Sequence, residues 1–149
     1  MKVRRVTEAD RERYLELAEA FYDSPAVLEP VPRAYLVCTF DEMMRSDVYV
    51  DGFMLESDAG ESMGYALISK SFTQEAGGLT IWVEELSVLP AFRGQGVGSE
   101  VLEWVTAYYP DWKRLRLEVE RENDRAIKLY ERHGFEELAY YQMTRDVES

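Results

Sequence analysis

With 149 residues, a formal net charge of -12 and a hydrophobic fraction of 46%, the chain has the length of one domain and the composition of an ordinary globular protein, which argues against disorder and fibrous structure. The excess of carboxylates excludes a nucleic-acid binder, which needs clustered Lys and Arg to neutralise phosphates, and favours approach of a cationic small molecule or a basic peptide end. A single cysteine, Cys38, and a single histidine, His133, exclude an internal disulfide and the usual zinc and iron sites, and no stretch nears the ~18 apolar residues of a membrane span, so a cytoplasmic protein without metal or membrane partner is expected.

The chain opens as a short strand, Lys2 to Val6. Thr7 then stands where it can cap a helix, with Asp10 at the capping-box position. Apolar residues at Tyr14, Leu15, Leu17, Ala18 and Phe21 recur at helical spacing, which predicts a helix to about Tyr22. Pro25, Pro30 and Pro32 break the chain, and a second helix is predicted from about Arg33 to Met44. Cys38, with nothing nearby to make it a thiolate, is expected to fill core.

From Val48 the pattern becomes a meander of strands: Val48 to Glu56, Met63 to Phe72 and Leu79 to Leu89, with turns at Asp58-Ala59-Gly60 and Gly77-Gly78. A glycine-rich loop follows Pro90. Beyond it come a helix (Val97 to Tyr109), a strand (Lys113 to Glu120), a helix (Asp124 to His133) and a last strand (Phe135 to Asp146). Antiparallel hairpins leading into strand-helix-strand-helix-strand imply a single α/β (α+β) domain, residues 1–149, with a mixed sheet and helices on its faces.

The loop Arg93-Gly94-Gln95-Gly96-Val97-Gly98 follows a strand and opens a helix. Its amides can converge on one anion at the helix N-terminus, with Arg93 adding charge. A mononucleotide P-loop needs Gly-Lys before the hydroxyl residue, and Val97-Gly98-Ser99 lacks the lysine. A dinucleotide loop nearly fits Gly94, Gly96 and Ser99, with Glu118 or Glu120 as the ribose acid, but the loop lies past the middle of the chain with too little sequence left for a doubly wound domain.

Val83 to Gly98, with Arg93, Gly96 and Gly98 in the pattern Q/R-x-x-G-x-G/A, resembles the signature of the GNAT superfamily of N-acetyltransferases. Downstream, Asn123, Ala126, Leu129-Tyr130 and Gly134-Phe135 are similar to the same family's N-x-x-A-x-x-L-Y-x-x-x-G-F segment. The resemblance implies a GNAT-like fold with six to seven strands, an antiparallel N-terminal part, a splayed parallel pair in the middle and helices on both faces. It implies an enzyme that carries an acyl group, acetyl above all, from acetyl-CoA (coenzyme A) to a primary amine of a small molecule or a peptide. A homodimer is a common assembly in the family. The alternatives are a non-catalytic acyl-CoA-binding module and a nicotinamide-dependent reductase.

By the same resemblance the pantetheine arm lies along Leu86, Ser87 and Val88 as an added strand, with the Leu86 amide aimed at the thioester oxygen. The pyrophosphate takes amides of Gly94, Gln95, Gly96, Val97, Gly98 and Ser99. Asn123 binds the pantetheine arm and Tyr130 protonates the leaving thiolate. Attack by an amine also requires a proton acceptor. Glu84 and Glu85 interrupt an apolar strand and must point to opposite faces unless a bulge or cleft receives one, while Glu118 interrupts the next strand and matches a base used in some members. Each is a candidate. His133 is expected as a C-terminal helix residue favoured by the dipole. The Tyr108-Tyr109, Tyr140-Tyr141 and tryptophan sets are expected to pack. The acceptor-specific regions, Phe21 to Val48 and Phe135 to Ser149, carry no interpretable motif.

Overall fold

The computed structural model describes residues 1–148. Its sheet has five strands in chain order: β1 (Lys2–Arg5), β2 (Val50–Glu56), β3 (Ser62–Thr73), β4 (Gly78–Val88) and β5 (Trp112–Leu117). The pairs from β1 to β4 are antiparallel and β4–β5 is parallel. Four helices cover the sheet: α1 (Arg11–Tyr22), α2 (Arg33–Arg45), α3 (Val97–Tyr108) and α4 (Asp124–Arg132). None is long and apolar enough to cross a membrane.

The pleat explains the continuous apolar runs of the central strands. Phe53 and Leu55 of β2, with Ala66 and Ile68 of β3, face Val97, Val101, Leu102 and Val105 of α3. Met54, Tyr65 and Leu67 project the other way, against Tyr14, Ala18 and Phe40 of α1 and α2. Side chains alternate across a strand, so a sheet covered on both faces needs apolar residues at every position. Each large side chain so buried contributes about 1.5–3 kcal/mol.

The box at the start of α1 forms as expected. Asp10 Oδ2 accepts the Thr7 amide at 2.8 Å, while two Arg4 nitrogens at 2.8 Å add charge and hold the carboxyl down at about 2. Cys38 does not fill core; it is exposed. On α2 the buried residues are Leu36, Phe40 and Met43. Two residues beyond Leu36, at ~100° per residue, Cys38 is carried to the opposite side of the helix.

The expected last strand is absent among the described residues. Residues 135–148 join no ladder, the sheet has five strands rather than six to seven, and Leu138, Tyr140, Tyr141, Met143 and Val147 are exposed. Apolar residues in this segment suggested a strand, but a strand also requires backbone partners and a face to cover. The side-chain ties found here are Tyr140 Oη donating to Glu75 at 2.8 Å and Phe135 packed edge-on against Tyr130. Neither supplies a ladder. Tyr140 and Tyr141 are therefore not packing residues, whereas Tyr109 and Trp104 join the core beside α3.

Candidate active site

The parallel strands separate where the chemistry was expected. β4 pairs with β5 from Leu79 to Val83, and Val83 meets Leu117, the last residue of β5. β4 then continues to Val88 without that partner. A cleft of about 1040 Å³ opens beside the unpaired end, lined by Leu86, Ser87 and Val88 on one side and Glu120, Asn123 and Tyr130 on the other.

The floor of the cleft is the glycine loop. Gly94 and Gly96 have φ of 77° and 79°, a left-handed conformation that a side chain would strain, and Gly96 is the N-cap of α3. Gly98 is required for another reason. A Cβ there would meet Leu129 Cδ2 of α4 at 3.1 Å, so its absence lets the two helices close on the loop. Arg93, Gly94, Gly96, Val97, Gly98 and Ser99 all line the cleft, whereas exposed Gln95 is not part of its wall and donates to the Ala91 carbonyl at 3.3 Å. Arg93 Nε donates to the Val88 carbonyl at 2.9 Å, bracing the loop against the end of β4. Arg125 and Arg132 of α4 also line the cleft. No sequence motif marks them, because cationic residues on a helix face normally mark solvent.

Asn123 is the N-cap of α4; its Oδ1 accepts the Ala126 amide at 3.2 Å. Capping consumes the carbonyl oxygen and leaves the amide nitrogen as the group it can offer the cleft. Tyr130 stands two turns along. Its ring packs on Phe135 with centroids 5.8 Å apart, and burial pushes its phenol above the ordinary value, so it keeps its proton.

The three candidate carboxylates separate cleanly. The register between β3 and β4 shifts so that Leu67 faces Glu85 while Ile68 faces Val83, leaving Glu84 as the extra residue of a bulge. Glu84 is exposed and accepts from Ser69 Oγ at 2.6 Å. Glu118 lies beyond the end of β5, exposed and outside the cleft wall. Glu85 is buried, 9% exposed, on the α1 side of the sheet behind the cleft wall rather than in it. Its Oε2 accepts from Tyr22 Oη at 2.5 Å and its Oε1 from Tyr65 Oη at 2.6 Å. Burial pushes the Glu85 carboxyl up, the two phenols pull it partly back, and the charge of Glu84 adds to the rise. Tyr22 opens onto a smaller cavity of about 230 Å³ between α1 and α2, with Asp23 lining both cavities. Tyr22 and Tyr65 have no motif to mark them; their role comes from burial beside a carboxylate.

Residues 11–135 match the profile of the Acetyltransferase (GNAT) family. The chain belongs to that family. Over 78 residues it is 36% identical to the thialysine N-epsilon-acetyltransferase of Bos taurus, covering 51% of this chain and 45% of that protein. It is 34% identical over 59 residues to the uncharacterized N-acetyltransferase YesJ of Bacillus subtilis (strain 168), covering 38% and 33%. The match thus spans less than half the length of either relative. Among solved structures, the aminoglycoside N-acetyltransferase AAC(6')-Iy, in complex with the bisubstrate analog CoA-S-monomethyl-acetylneamine, superposes with a TM-score of 0.78 at 19% identity, covering 98% of this chain and 97% of that one. An integron cassette protein from a salt-marsh metagenome superposes with a TM-score of 0.80 at 24% identity, covering 99% and 91%. These likenesses show the shared fold.

Acetyl-CoA is the acyl donor of this family, and the residues present fit it. An extended strand end that β3 pairs on one side and β5 leaves open on the other suits a pantetheine arm, which carries amides at peptide-like spacing. Left-handed glycines at a helix N-terminus, with Arg93, Arg125 and Arg132 in the same wall, suit a pyrophosphate in a chain that is otherwise acidic.

Proposed function

We propose that this protein is an N-acetyltransferase that moves the acetyl group of acetyl-CoA to a primary amine by direct attack on the thioester. The observation that carries the reading is the cleft beside the unpaired end of β4, closed at one end by the glycine loop and at its side by Tyr130. Acetyl-CoA supplies a thioester already activated toward an amine.

The Leu86 amide serves the carbonyl oxygen as it gains charge. Tyr130 donates its proton to the departing sulfur; a phenol that burial keeps protonated is suited to that task. The Glu85 carboxylate receives the proton of the attacking amine. Because Tyr22 and Tyr65 occupy its two oxygens, the proton passes through Tyr22: the Tyr22 oxygen takes it from nitrogen while the Tyr22 hydroxyl proton goes to Glu85 Oε2. Glu84 and Glu118, exposed to solvent, are left as surface carboxylates.

Glu85 also favours an enzyme over a module that merely holds acyl-CoA. A buried carboxylate without a cation destabilises the fold, and cofactor binding alone has no use for it. The acceptor enters from the side of Tyr22 and Asp23, where Arg33 is paired with Glu19 and the Asp23 carboxylate favours a cationic amine on a small molecule or a peptide end.

The test is release of free CoA from acetyl-CoA in the presence of polyamines, aminoglycosides and lysine- or amino-terminal peptides. Tyr130→Phe should reduce kcat about 10²-fold with little change in acetyl-CoA affinity. Failure to bind acetyl-CoA, or no thiol release with any amine, would sink the reading.

A further inference from the structure

Outside the acyl-transfer centre, a second constellation links α3 to α4. His133, at the C-cap of α4, lies with Nε2 2.5 Å from Ser99 Oγ and Nδ1 3.1 Å from Glu103 Oε1. Ser99 is in the first turn of α3, directly after the glycine loop, and lines the cleft. Glu103 lies one turn further along the same helix and is largely exposed, while the His133 side chain is 14% exposed. These residues touch neither the thioester position nor Glu85's phenols. Glu103 is the charged group in contact with His133 from the helix packed against it; Glu131 and Arg132 precede it on α4.

Hydrogen-bond roles around the ring are fixed by chemistry. An ionised carboxylate only accepts, so the nitrogen facing Glu103 carries a hydrogen in either charge state of the ring. With a neutral ring, Nε2 is an acceptor and the Ser99 hydroxyl must donate to it. Ser99 then presents only lone pairs to the cleft, which a phosphate oxygen repels. With a protonated ring, Nε2–H donates to Ser99 Oγ. The Ser99 proton is then free to turn into the cleft, onto a phosphate oxygen. A bound phosphate and a second ring proton therefore favour one another.

We infer that His133, held by Glu103, is a positioning residue that turns the Ser99 hydroxyl toward a phosphate of coenzyme A, so that the cofactor binds with uptake of a proton onto the imidazole. This rests on the assignment of the loop from Gly94 to Ser99 as the site of the cofactor's phosphates.

Calorimetric titration of CoA at pH 7.5, in PIPES and in imidazole buffer, counts protons from the difference in apparent heats. Wild type should take up more protons per CoA than His133→Gln, a comparison that cancels exchange by the phosphates themselves. CoA should bind His133→Gln about tenfold more weakly. Ser99→Ala keeps the histidine but breaks its link to the cleft, and should lose the extra uptake; a merely structural histidine would not be affected in this way. Glu103→Gln, on an exposed position where folding is not in question, should reduce the uptake. Pantetheine, which has no phosphate, should elicit none. Equal uptake by wild type, His133→Gln and Ser99→Ala, with CoA still bound, would overturn the inference and leave the cofactor site standing. No heat with CoA at all would overturn both.

Discussion

Two carboxylates are buried in this sheet, Asp51 on β2 and Glu85 on β4, and they are held in opposite ways. Burial alone would raise the Asp51 pKa, but Lys70 at 2.9 Å, Tyr109 at 2.5 Å and Arg5 donate to it and bring it below the ordinary value. Glu85 receives two phenols and no cation, and burial leaves it above the ordinary value. Charge at Asp51 is matched within the fold, joining β1, β2, β3 and the end of α3. Charge at Glu85 is met by hydrogen bonds alone, which in the proposed mechanism leaves it to be matched by the incoming amine. Asp51, tying elements together, is given cations; Glu85, the base of the proposed mechanism, is given none.

The sharpest way to break the comparison is Glu85→Gln. Turnover should fall by about 10²–10³-fold while acetyl-CoA affinity stays near wild type, read by steady-state kinetics beside direct binding. Its effect on stability has a definite sign. A carboxyl whose folded pKa is raised contributes stability below its unfolded pKa and loses it as pH rises through the folded value. Glu85→Gln should therefore unfold no more easily than wild type at pH 7.5, and any gain should shrink toward pH 4. A large loss of stability at pH 7.5 would make Glu85 structural.

Asp51→Ala should do the reverse. It strands Lys70 and Arg5, and should cost about 2–4 kcal/mol in denaturant unfolding with turnover almost intact. Asp51, with its folded pKa depressed, contributes stability above its unfolded pKa and loses it as pH falls through the folded value. Wild type and Asp51→Ala should accordingly converge in stability in strong acid.

Smaller effects test the proton path. Tyr22→Phe removes a hydrogen bond that stabilises the Glu85 carboxylate, so the acid limb of the kcat profile should move to higher pH, with turnover on the plateau reduced about tenfold. An acid limb that stays in place would exclude Glu85 as the group titrating there. Glu84→Gln removes a like charge that raises Glu85, and should move the limb slightly the other way. These last two shifts have opposite signs, which no general loss of stability reproduces.

Most of the fold was legible because local signals and packing agree. The run from Phe53 to Leu55 reads as strand and is buried on both faces; Thr7 and Asp10 mark the entry to α1 and form its box. The loop and Asn123–Tyr130 were legible because backbone geometry and helix capping restrict residue type. The strand expected over Phe135 to Asp146 does not form, because apolar content says nothing of whether a partner strand is available. The bulge at Glu84, Tyr22 as the partner of Glu85, and the link from His133 to Ser99 were hidden for one reason: each depends on contacts between segments far apart in sequence. His133 does sit at the helix end as expected, but its position there says nothing of what its ring touches.

The bulge at Glu84 carries a consequence for insertion and deletion. Ile81 and Val83 look toward α3, and the next alternate residue would be Glu85; the single added residue sends Glu85 to Tyr65 instead and returns Leu86 to the α3 side. Removing residue 84 would thus leave Val83, Glu85 and Leu86 in unbroken alternation, with Glu85 still toward Tyr65 and Leu86 still toward α3. Flattening the bulge with all its residues kept would instead turn Glu85 toward α3 and Leu86 toward the phenols, so the sheet tolerates loss of the extra residue but not its absorption into the ladder.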